Sequence, residues 1–156
     1  MQTLEKSVIC DNDLGQLLDQ MKQQLSQVEG FYPEVHLREE GLFAVKLGEK
    51  YPWVSVSCGE IDPQFYGQSQ GTFVECPIGE AMDASQTLAM LRQFSQLPVF
   101  CRLVCRQDDE TDRLSLEGSL PNGLVSVSSL TMLVREVSSL GGELAEQQQS
   151  LGTPQS

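Results

Sequence analysis

The sequence holds a single histidine, His36, and no CxxC pair among its five cysteines. A nucleophile–base pair needs a positioned imidazole or an equivalent base. His36 stands between Val35 and Leu37 in an alternating stretch and reads as a solvated strand residue. A zinc site needs four convergent ligands. Cys101 and Cys105 are four apart on one predicted strand, about 13 Å by strand rise, too far to share a metal or a disulfide. Cys58 and Cys76 can be neighbours across strands, but nothing else joins them. The acidic run Asp108–Asp112 lacks the spacing and glycine of a calcium loop, so it reads as a solvated hairpin tip. No GxGxxG, GxxxxGK[ST], HExxH or GxSxG string occurs. No catalytic residue, metal or cofactor is expected.

Positive charge is also scarce. Ten lysines and arginines face 22 acidic residues, for a net charge of −12. Arg102 and Arg106 come closest to a basic patch, and Asp108, Asp109, Glu110 and Asp112 follow at once. Nucleic acid and anionic lipid are therefore excluded as expected partners. The acidity keeps the chain soluble and favours a basic segment of a protein partner. No stretch approaches the roughly 20 apolar residues that cross a bilayer. The start, MQTLEKSVICDND, has charges inside its only apolar patch and no h-region, so a cytoplasmic location is expected.

What is present suits one globular domain. The chain has 156 residues, 40% of them hydrophobic. Leu14, Leu17, Leu18, Met21, Leu25 and Val28 repeat at helical spacing after Asn12 and Asp13, with Gly30 as the stop. Alternation at two-residue spacing then predicts strands around Val35–Leu37, Phe43–Leu47 and Val54–Cys58. A loop from Gly59 to Gly71 precedes a further short strand, Phe73–Ile78. A second helix is expected from Asp83 to Leu97, apolar on more than one side, which suggests a partner surface. Val99–Cys105 and Leu114–Glu117 read as a hairpin. A third helix begins near Ser126 and ends at Gly141-Gly142 in a left-handed cap. The order α-β-β-β(-β)-α-β-β-α indicates an α+β fold. Residues 1–11 are read as an extension, 12–144 as the domain, and 145–156 as a disordered tail.

This order, carried by DLGQLLDQMKQQLSQV, LREEG, SQTLAMLRQFSQL, PVFCRLVCRQDDETDRLSLEGSLP and SVSSLTMLVREVSSLGGEL, resembles the type III secretion chaperones and the related YbjN-like domains. The resemblance implies a twisted antiparallel sheet with three helices packed mainly on one side, assembled as a homodimer. It implies a dimer interface on the central helix and the following strand, here Leu88, Leu91, Phe94, Val99, Cys101 and Leu103. It also implies a surface that holds an extended segment of a protein partner, with Leu17, Met21, Phe43, Val45 and Trp53 as candidates. Two alternatives stand beside it. One is a YbjN-like domain with no secretion role; the other is a small enzyme or ligand binder without a recognisable motif.

Overall fold

The computed structural model describes residues 11–80, 89, 90, 92, 100–108 and 111–152. Helix α1 (Asp11–Leu25) buries Leu14, Leu18, Met21 and Leu25, a single stripe at four- and three-residue spacing. It stops short of the predicted Val28, which is exposed, and the Ser26 hydroxyl donates to the Lys22 carbonyl at 2.7 Å in the closing turn.

Six strands follow: β1 (Glu34–Glu39), β2 (Leu42–Lys46), β3 (Val54–Glu60), β4 (Gln70–Glu80), β5 (Cys101–Asp108) and β6 (Thr111–Pro121). They form one antiparallel sheet in the order β1-β2-β3-β4-β6-β5. The short strand expected at Phe73–Ile78 is part of β4, which runs longer and stands in the middle of the sheet. Its register places Cys58 opposite Thr72 and Cys76 opposite Leu116, so the two cysteines are not cross-strand neighbours. The preceding loop contains one helical turn, α2 (Pro63–Tyr66). Asp62 caps it by accepting from the Gln64 N–H at 2.9 Å, and Pro63 suits the first helical position. Near its far end β4 bulges between Pro77 and Gly79, and Gly79 takes a φ of 147°, which favours glycine.

Registered pairs share a face of the sheet. Phe43, Val45, Val54, Val56, Val74, Cys76, Leu114 and Leu116 fall on one face and join the stripe of α1 in a common core. Helix α3 (Val127–Gly152) closes it with Leu130, Leu133, Val134 and Val137, all without solvent exposure. Its start is a reciprocal cap: the Ser129 N–H donates to the Ser126 hydroxyl at 3.1 Å, and the Ser126 N–H to the Ser129 hydroxyl at 2.8 Å. The fold is α+β with the expected order.

Two expectations need correction or placement. The third helix does not end at Gly141-Gly142. It runs on to Gly152, buries Leu144, and the Gln148 side-chain amide donates to the Glu80 carbonyl. The part of the expected tail from 145 to 152 is therefore helical. Of the helix expected over Asp83–Leu97, only Ala89, Met90 and Arg92 are described, and these are helical, with Met90 buried in the core. Leu88, Leu91, Phe94 and Val99 lie outside the described residues.

Candidate protein-binding site

Where α1 crosses the edge of the sheet, Gly15, Gln16 and Asp19 of α1 and Val35, Leu37, Glu40 and Phe43 around β1 and β2 line a groove of about 830 Å³. Alternation puts Val35 and Leu37 on the core side, yet α1 does not reach over the whole of β1. Val35 is half-buried, and Leu37 is 63% exposed. β1 is an edge strand, and among the described residues no strand pairs with its outer side. An apolar groove beside unpaired backbone N–H and C=O groups can hold an extended chain by adding it to the sheet.

The five residues implied as a partner surface do not form one patch in the single chain. Phe43 reaches the groove although only 7% of it is exposed. Leu17 is partly buried against the core, and Met21 and Val45 are core residues with no exposed surface. Trp53 lies on the opposite face of the sheet. Leu37, the most exposed apolar residue of the groove, was hidden in the sequence because its alternation with Val35 is also the pattern of a core strand. Of the residues implied for a dimer, Cys101 and Leu103 are half-buried on β5, the other edge strand.

The face turned away from the helices has its own chemistry. The Trp53 ring has the Arg38 guanidinium 5.7 Å and the Lys46 ammonium 5.8 Å from its centroid, and His36 lies 5.5 Å away. Across the sheet, Arg106 donates from Nε to Glu75 at 2.9 Å and from Nη2 to Glu117 at 2.6 Å, while Arg102 donates to Glu117 at 2.8 Å. The Glu75 carboxylate, with Glu117, raises the Arg106 pKa above its ordinary value. Arg102 and Arg106, the arginines closest to a basic patch in the sequence, are thus ion-paired with carboxylates. Arg38, Lys46, Arg102, Arg106 and Arg113 lie on this face and come from four strands, β1, β2, β5 and β6, with Arg38, Arg106 and Arg113 around one recess.

The thiols divide by environment. Glu136 of α3 accepts from the Phe100 N–H at 2.7 Å and the Cys101 thiol at 2.9 Å, tying α3 to the start of β5. Burial, then the hydrogen bond to Glu136 and its charge, push the Cys101 thiol pKa up. Burial, with the Glu75 charge, raises that of Cys76 from 9.0 to about 11. Cys105 is exposed. At pH 8 a thiol-alkylating reagent is expected to label Cys105 well before Cys76 or Cys101, as read by mass spectrometry of digested samples. A thiol whose pKa is raised by folding stabilises the fold below the unfolded value and loses that contribution as pH rises. Unfolding free energy is thus expected to fall between pH 9 and pH 11, with a shallower fall in Cys76→Ala. Equal slopes in denaturant titrations would contradict this.

No family profile and no curated protein sequence matches the chain. A solved structure does. The crystal structure of the Yersinia pestis type III secretion chaperone SycH in complex with a stable fragment of YscM2 covers 84% of this chain and 96% of its own, at a TM-score of 0.50 and 19% identity. The fold is similar to that of a type III secretion chaperone. The likeness to SycH supports the secretion-chaperone side of the resemblance read from the sequence, and at this identity it speaks to the fold alone. Among the described residues no helix is long and apolar enough to cross a membrane.

Proposed function

We propose that the chain is a chaperone-like binding module that holds an extended, apolar segment of a partner protein in the groove between α1 and β1. The observation that carries this reading is Leu37, an exposed leucine on an unpaired edge strand, set beside Val35 and Phe43 in the groove. SycH, which shares the fold, was crystallised with a protein fragment bound. Burying a leucine against a partner contributes about 2 kcal/mol, and the backbone pairing along β1 fixes the direction of the bound strand. No chemistry on the partner is required of the site, so the role is to cover apolar surface that would otherwise aggregate. A cytoplasmic location fits this role.

The test is co-purification of the tagged chain from its native host, with the bound protein identified by mass spectrometry. Leu37→Asp is expected to weaken that complex roughly thirtyfold or more while leaving the circular dichroism spectrum unchanged. Retention of the partner at unchanged affinity would remove the α1–β1 groove from the proposal. We further propose that two copies associate through Leu88, Leu91, Phe94 and Val99 together with Cys101 and Leu103, the last two on β5, the other edge strand among the described residues. Light scattering is expected to give twice the 17.3 kDa chain mass. A monomer at micromolar concentration would dispose of the dimer.

A further inference from the structure

We propose that the face of the sheet turned away from the helices is a second docking surface, which takes an acidic segment of a protein chain carrying an apolar or aromatic side chain. This inference does not rest on the α1–β1 groove. It starts from a cavity of about 590 Å³ on the opposite face, where Trp53, Leu42, Ala44 and Pro77 make an apolar floor. That volume is within the range of sites that enclose a ligand. Ala44 and Ser115, which also line it, are 7% and 6% exposed.

Charge selects the occupant. Arg38, Arg106 and Arg113 line the recess against one lining carboxylate, Glu75. Arg106 and Arg113 are directly paired in the β5–β6 register. Glu75 and Glu117 fix the Arg106 guanidinium from two sides before any ligand arrives, which lowers the ordering cost of binding. A planar guanidinium matches a carboxylate in two parallel hydrogen bonds. The Trp53 ring, already flanked by Arg38 and Lys46, offers an apolar surface for a neighbouring side chain.

The rest of the chain narrows the choice further. Its net charge of −12 repels a long polyanion such as nucleic acid, whose phosphates would extend beyond the recess. A short acidic segment places its charge within about one Debye length, roughly 8 Å at physiological salt, of the local cations, and distant acidic residues are screened.

Trp53 is the only tryptophan of the chain, so its fluorescence reports on the recess. A synthetic peptide of about a dozen residues, rich in Asp and Glu around one Phe, is titrated into the full chain, with a matched Asn/Gln peptide and a single-stranded oligonucleotide as comparisons. The acidic peptide is expected to give a saturable change in emission, at least tenfold tighter than its amide counterpart and weakened by added salt. Arg113→Glu and Arg38→Glu, each verified as folded by circular dichroism, are expected to weaken binding at least tenfold. Lys22→Glu, on the exposed side of α1, makes the same change in net charge and is expected to leave binding unaltered. Equal binding of the amide peptide, no binding of the acidic peptide, tighter binding of the oligonucleotide, or indifference to both arginine reversals would each overturn the proposal.

Discussion

Gly141→Val is expected to lower the melting temperature by about 5–10 °C, an unfolding cost of about 2–3 kcal/mol. Gly141 lies inside α3, packed against Cys76 of β4. A Cβ there would sit 2.6 Å from the Cys76 Sγ and 2.8 Å from its Cβ. Neither Gly141 nor Gly142 has a positive φ, so this glycine answers to close packing and not to a left-handed cap. Two effects compete on substitution. Alanine in place of an interior helical glycine gains about 1 kcal/mol of helix propensity. Forcing a methyl into a filled contact between helix and strand costs about 1–3 kcal/mol. At Gly141 the clash is with a buried side chain on a central strand, so the cost wins. At Gly142 the nearest atom is the Pro52 Cδ at 3.2 Å, on a loop that can give by a few tenths of an ångström. Gly142→Ala is therefore expected to be neutral or slightly stabilising. Cys76→Ala removes the nearer of the two obstructing atoms and should recover part of the loss in Gly141→Ala, a coupling that a double-mutant cycle in thermal denaturation would detect. Equal tolerance at both glycines would mean that α3 does not press on β4 at this point.

Leu116→Ala is expected to cost about 3 kcal/mol, with a drop in melting temperature of about 6–12 °C. Leu116 has no exposed surface and lies on β6, paired with Cys76 on one side and Leu103 on the other. Its removal leaves a cavity under α3 that the surrounding elements cannot close, because β4 and β6 are each paired on both sides. Leu103→Ala, two strands from β4 and half-buried at the sheet edge, is expected to cost less than about 1.5 kcal/mol, since an edge strand can shift to fill the gap. Urea unfolding should show lower midpoints at an unchanged slope in both variants. If the two losses were equal, the core would not be centred beneath β6.

The parts of the fold that were legible in the sequence are those where one physical signal acts alone. Val54, Val56 and Cys58 alternate cleanly with Ser55 and Ser57, and β3 is where that pattern placed it. The stripe of α1 was equally plain. The end of α3 is ambiguous in the sequence because two glycines and a run of glutamines look like a cap and a tail. The apolar spacing nevertheless continues from Val137 and Leu140 to Leu144, and glutamine is a good helix former. Asp62-Pro63 nucleates a single turn inside what composition alone marked as loop.

The candidate surfaces were harder to read. Whether Leu37 belongs to a core or to an edge depends on how far α1 reaches, which no spacing within β1 encodes. The cations around Trp53 come from β1, β2, β5 and β6, so their proximity is a product of strand register and is absent from any local window.

The strand order also has a consequence for how the chain reaches this state. β1 to β4 form a meander of consecutive neighbours, whereas β4 finds its other neighbour, β6, only across an intervening stretch that contains β5. During synthesis the meander can assemble first, and β4 then waits as an unpaired edge displaying Val74, Cys76 and Ile78 until Leu114 and Leu116 emerge. Closing that long loop is a slow, non-local step. The interval before it is when the nascent chain is most exposed to strand-to-strand association with other copies. A protein that shares the fold of chaperones thus passes through a stage in which its own central strand is the one in need of cover.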